Sequence, residues 1–176
     1  MSRLNTFIRF PIAAAMLAAM GTLATGCRIE QPVHPDGEAV AIDSLPDAAR
    51  VASQANAGKE GISQVTAFEE DGSQMYLART IKDGRAMDIE VFSSGQVCCI
   101  QTQVRPEELP PPVKRVADAE TLGYPQRVFW KKESRDKAAG FGMVVTYVVE
   151  AASKSRDKQV EIDPSGKVLR SAFSNN

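Results

Sequence analysis

A chain of 176 residues, 43% hydrophobic and 24% charged, is long enough for one ordinary domain or two small ones and too apolar to be disordered throughout. Its formal net charge of -1 supplies no long-range field for nucleic acid, and no basic stripe with interleaved aromatics is present. Nucleic-acid binding is therefore set aside.

Residues 1–26 stand apart. Arg3 and Arg9 form a basic start, Phe10 to Leu23 is an almost unbroken apolar run, and the small residues Ala24, Thr25 and Gly26 follow. The run is short for a spanning helix, which needs about 20 apolar residues, so this stretch reads as a secretory signal. Residues 27–41 begin with Cys27 and contain Pro32, Pro35, Asp36 and Gly37 without any period, the composition of a polar tether. His34, the single histidine, lies between two prolines there and reads as solvated rather than as a ligand.

Residues 42–104 form a first unit. Ser44, Leu45, Pro46, Asp47 predicts a helix start with Ser44 as N-cap, and Leu45, Ala48, Ala49, Ala52 and Ala55 follow at helical spacing until the glycines before Ile62. Strands are expected over Ile62–Glu70, Met75–Lys82, Arg85–Phe92 and Val97–Val104, with a two-residue hairpin turn at Asp83, Gly84. In the third of these, Met87, Ile89 and Val91 alternate with Asp88 and Glu90, so one face is buried and the other wet.

Residues 105–176 repeat the plan. Leu109, Pro110 opens a second helix, with Pro110 to Pro112 confined to its first turn or before it. Strands follow over Tyr124–Ser134, Met143–Ala152, Lys158–Asp163 and Lys167–Phe173, with a charged, Gly-containing loop over Glu133–Gly142. The stretch Tyr76–Cys98 overlies Tyr147–Leu169 without a gap: Tyr76 meets Tyr147, Glu90 meets Glu161, Gly95 meets Gly166 and Val97 meets Val168. The expected fold class is α+β, two tandem repeats, each a helix packed on a four-stranded antiparallel sheet.

Two resemblances follow from these residues. Leu23, Ala24, Thr25, Gly26, Cys27 resembles the lipobox of bacterial lipoproteins, with Ala24 where the large apolar residue usually stands. It implies cleavage before Cys27, a lipid on its sulfur and a place in the cell envelope. Arg28 after the cysteine implies the outer membrane, facing the periplasm. The alternative is a soluble secreted or periplasmic protein cut after Gly26. Leu45, Pro46, Ala49, Tyr76, Glu90, Val91, Gly95 and Val97, with their counterparts Leu109, Pro110, Val113, Tyr147, Glu161, Ile162, Gly166 and Val168, resemble the tandem PepSY-like family, related in shape to the beta-lactamase-inhibitor-protein fold. That resemblance implies a binding or inhibitory module rather than an enzyme, with another envelope or secreted protein as partner and the sheet face left free by the helices as recognition surface.

The search for chemistry agrees. Nucleophilic catalysis would need His34, no Gly-rich phosphate loop follows a strand, and no Cys or His cluster has metal spacing. No catalytic residue, metal ligand or cofactor is assigned. Cys98 and Cys99 are adjacent in a strand and should point to opposite faces, with Cys98 in the core by its match to Leu169 and Cys99 exposed or at a sheet face. They read as one buried and one incidental thiol, as a disulfide with another chain, or as a metal or thiol sensor. Phe129 and Trp130, beside Val128, read either as core beneath the second helix or, together with Cys99, as a partner surface. A further alternative is an accessory structural lipoprotein of an outer-membrane assembly.

Overall fold

A proline restricts the residue before it to extended backbone, and the chain uses this twice to separate a short turn from a helix. In the computed structural model, which describes residues 37–135, 142–154 and 156–175, Ile42–Ser44 is a 3-10 turn and Leu45 is extended (φ -69°, ψ 148°). Helix α1 then runs Asp47–Ala57 with Pro46 at its N-cap. Pro106–Glu108, extended Leu109 and helix α2, Pro111–Glu120 with Pro110 as N-cap, are built alike. Ser44 is thus not the cap of α1; its Oγ donates to Ala41 O within the preceding turn at 2.6 Å. The segment expected to be a signal, Cys27 and His34 lie outside the described residues.

Among the described residues, nine strands follow the chain in one antiparallel sheet of order β1 to β9. They are β1 Glu38–Val40, β2 Ile62–Glu70, β3 Ser73–Lys82, β4 Arg85–Phe92, β5 Val97–Val104, β6 Gln126–Arg135, β7 Met143–Ala152, β8 Arg156–Ile162 and β9 Val168–Asn175. Two features depart from expectation. The last residues of the expected tether form β1, an edge strand placing Glu38 opposite Ala67. And the strands do not divide into two sheets of four, because β5 pairs directly with β6, Cys99 opposite Ser134 through Val104 opposite Phe129. The turns at Asp71, Gly72 and Asp83, Gly84 have positive φ at both central residues, the twist that suits a two-residue hairpin.

Both helices lie on one face. Leu45, Ala49 and Ala57 of the first helical segment pack on Val65, Ala78, Met87, Ile89 and Val91. Leu109, Val113 and Ala117 pack on Phe129, Val149, Val160 and Ile162. The register Met87, Thr102, Lys131, Tyr147, Ile162 runs across the sheet between these two clusters, so they share a side.

The matched glycines have a steric cause. Gly95, between β4 and β5, has φ 83°, and a Cβ there would stand 2.7 Å from Ala48 O of α1. Gly166, between β8 and β9, has φ 93° and would meet Pro112 of α2 at 3.1 Å. Each glycine therefore lets a turn close against a helix. Gly72, also at positive φ, has nothing within 4 Å. Gly95→Ala is expected to combine left-handed strain with this clash and lower stability by about 1–3 kcal/mol, with Gly72→Ala milder. Urea unfolding of the two variants tests this; equal losses would refute a helix contact as the reason for Gly95.

Candidate functional site

Because successive strand residues point to opposite faces, the register also lists what the helix-free face carries. One row runs Arg79, Asp88, Gln101, Lys132, Thr146, and the next holds Gln103, Trp130, Val148, Glu161 and Arg170. Toward β2 the face is apolar, with Phe68, Met75 and Leu77 packed together and Phe92 and Cys98 against them. Its centre is ionic. Asp88, 0% exposed, accepts from Arg79 Nε and Nη2 at 2.8 Å each, a bidentate pair. Glu161 accepts from Thr146 Oγ1 at 2.8 Å and stands 3.5 Å from Lys132 Nζ. Burial works against the Lys132 charge, yet the neighbouring Glu161 and Glu90 carboxylates outweigh it and raise its pKa.

Trp130 occupies the middle of this face, 0% exposed although neither α1 nor α2 lies on that side. Its Nε1 donates to Glu150 Oε2 at 3.1 Å, and Gln159 Nε2 donates to the other oxygen at 3.3 Å. Burial pushes the Glu150 carboxyl up; the Trp130 and Gln159 donors pull it down less strongly. Glu150, on β7, also feels the charges of Asp88 on β4 and Arg79 on β3. The long side chains of this face thus bring charges from β3, β4 and β7 within reach of one another across the row that holds Trp130.

The expected partner residues take different places. Phe129 lies under α2 in the core and Trp130 on the opposite face, both buried, so neither offers accessible surface; Val128 beside them is half-buried. The expectation for the cysteines is reversed: Cys99 is the buried one at 3% exposure and Cys98 is half-buried. The reason is a β-bulge. Glu90 pairs with Cys99 but Val91 pairs with Val97, which leaves Cys98 as the extra residue. Cys98 packs with Phe68, Met75 and Leu77, and its sulfur lies 3.6 Å from Glu90 Oε2, so both thiols share the helix-free face. Leu169 is the extra residue of an equivalent bulge, since Glu161 pairs with Arg170 and Ile162 with Val168. The match of Cys98 to Leu169 thus marks two bulges, and Leu169 is half exposed rather than core.

Both thiols are held protonated. Burial and then the Glu90 charge push Cys98 up to about 12, and burial raises Cys99 as well. Among the described residues no group of three His, Cys, Asp or Glu side chains could hold a metal, and no helix is long and apolar enough to cross a membrane. As members of one site, Asp88, Glu150 and Glu161 escaped the sequence reading. The wet face expected for β4 is corrected at Asp88, which is buried and held by Arg79 from the neighbouring strand, a pairing that no local pattern reveals.

In fold, the chain is similar to a protein of Bacteroides eggerthii described as periplasmic, at 15% identity and a TM-score of 0.56, covering 74% of this chain and 88% of that one. It is similar to a DUF2874 family protein of Bacteroides ovatus, at 18% identity and 0.54, covering 76% and 89%. A BLIP-like protein of Bacteroides fragilis aligns at 15% identity and 0.53, covering 75% and 88%. No family model matches the chain, and no curated protein matches it in sequence. These likenesses establish the fold: a mixed α+β, BLIP-like arrangement of one long antiparallel sheet and two helices.

Proposed function

We propose that this protein is an exported, lipid-anchored binding module of the bacterial cell envelope, without catalytic activity, that holds a partner protein on the helix-free face of its sheet. The observation carrying this reading is the face opposite α1 and α2, where buried Trp130 sits among polar groups that hold one another, Arg79 on Asp88 and Glu150 on the Trp130 indole. Half-buried polar side chains held by each other are already ordered, so a partner meets a preformed surface. The periplasmic description of the Bacteroides eggerthii neighbour and the inhibitor-like shape of the Bacteroides fragilis one support location and mode. The paired turns Gly95 against Ala48 and Gly166 against Pro112 support descent of the two halves from one PepSY-like unit.

A photo-crosslinking residue at Gln103 or Gln159 in the living envelope is expected to yield one discrete protein adduct, whereas Val51, exposed on α1, should yield none. Adducts from Val51 as readily as from the two sheet positions would sink the assignment of the surface.

The anchor rests on Cys27, outside the described residues. Mass measurement of the mature protein should find a chain beginning at Cys27 and carrying a diacylglycerol. An unmodified Cys27 there would refute the anchor and favour the soluble secreted form.

The thiol-sensor reading loses ground because a thiolate is the reactive species. Cys98 keeps its proton in the fold well above its ordinary 9.0, so the stability it contributes is present below pH 9 and falls as pH rises toward about 12. Native protein at neutral pH is expected to resist iodoacetamide at both Cys98 and Cys99 and react fully once unfolded in urea. Rapid alkylation of either thiol in the folded protein would reinstate the sensor.

A further inference from the structure

The sheet has two edges, and they are not alike. β1 is three residues long, too short to offer a passing strand much to pair with. β9, Val168–Asn175, is eight residues long and pairs with β8 on one side; among the described residues no strand pairs with its other side. Val168 to Phe173 contains no proline, and its two large apolar side chains at the edge, Leu169 and Phe173, are half exposed. A row of free N–H and C=O groups flanked by exposed apolar side chains is a template for strand addition.

The two faces of β9 ask for different side chains. Phe173 lies opposite Lys158, whose Nζ donates to Glu120 of α2 at 2.7 Å, so the ring is on the helix side; Arg156 stacks on it at 4.0 Å. Arg170, opposite Glu161, is on the helix-free side, is exposed, and has no ion pair among the described residues. The carboxylates near it are engaged or remote. Glu161 accepts from Thr146 Oγ1 and faces Lys132, and Asp163 accepts from the backbone N–H groups of Ser165 and Lys167. Asp157 lies opposite Ser174 at the far end of β8, about 13 Å from Glu161 along an extended strand.

We propose that the β9 edge takes an extended segment of another protein as an added strand, antiparallel like the rest of the sheet, with an acidic side chain opposite Arg170 and an apolar one opposite Phe173. In antiparallel pairing the apolar residue precedes the acidic one by three positions, which puts them on opposite faces of the added strand, as Phe173 and Arg170 are on β9. Charge decides between occupants. A second copy pairing β9 to β9 about a twofold axis would bring two Arg170 side chains onto one face of the joined sheet with no carboxylate between them, whereas an acidic segment supplies the missing counter-charge. The edge is separate from the centre of the helix-free face, so the proposal does not require a partner there.

The end-blocked octapeptide Thr-Thr-Val-Thr-Thr-Glu-Thr-Thr carries this pattern, and the same peptide with lysine for glutamate reverses its charge. At millimolar concentration the first is expected to shift the β9 amide resonances of the protein saturably and to slow hydrogen exchange at every second β9 amide, those that point away from β8. The lysine peptide should bind about threefold more weakly, the worth of one exposed ion pair. Arg170→Glu should reverse that preference, and the comparison of the two peptides on the unaltered protein decides the case even if this variant does not fold. Absence of a saturable β9 response, an equal response to both peptides, or an unchanged preference in folded Arg170→Glu would overturn the proposal. A dimer of the free protein in sedimentation, with the β9 amides already protected, would overturn it in favour of a second copy. A saturable response at Gln103 and Gln159 alone would overturn it too, while leaving the helix-free face as a protein-binding surface intact.

Discussion

The pairing of β5 with β6 is the constraint on which the helix-free face depends. Without it, each half of the chain would end in a bare strand edge, whose unpaired N–H and C=O groups invite other chains. With it, the sheet runs unbroken from β1 to β9, and side chains far apart in sequence are brought into common rows: Gln101 opposite Lys132, Gln103 opposite Trp130. Because side chains alternate with a period of two, a slip of one residue at this junction would send Trp130 beneath the helices and Phe129 to the open face. The observed register therefore decides both the core under α2 and the floor of the proposed site.

The junction also adds to the twist. Twist accumulates from strand to strand, and nine strands joined edge to edge accumulate more of it than four. The bulges at Cys98 and Leu169 add local bends at the β4–β5 and β8–β9 pairings. Glu150 lies within electrostatic reach of Asp88 and Arg79, three and four strands away.

This explains which parts of the molecule could be read from the sequence. The bounds of β2, β4, β5 and β7 are those expected, because alternation and turn residues such as Asp83, Gly84 act over a few positions. β1 was not legible: Glu38, Ala39 and Val40 are too few to show a period, and they become a strand only because β2 offers them an edge. The expectation for the cysteines rests on the match of Cys98 to apolar Leu169, and that match misleads because Leu169 is itself the extra residue of a bulge and half exposed. Trp130 could be recognised as buried or exposed only with its cross-strand neighbours in place, and those come from β5, β7 and beyond. The candidate site was thus barely legible, since each of its members is placed by partners distant in sequence.

The two faces of the sheet are filled by different rules. Under the helices the largest fully buried strand side chains are aliphatic, among them Ile89, Val91, Val149, Val160 and Ile162. On the other face, Asp88 and Arg79 are set into the middle of the sheet as ions. Exchanging a buried ion pair for apolar side chains of similar volume is often neutral or stabilising, by about 1–4 kcal/mol, so stability alone does not call for charges in that position. Removing one member is a different matter, because the other is left charged and dry. Arg79 and Asp88 therefore hold each other in one geometry, and Trp130 and Gln159 hold Glu150 in another. A face made this way is rigid and polar at its centre and apolar toward Phe68 and Leu77. For the proposed binding role, such a surface would discriminate by charge and register more than by area.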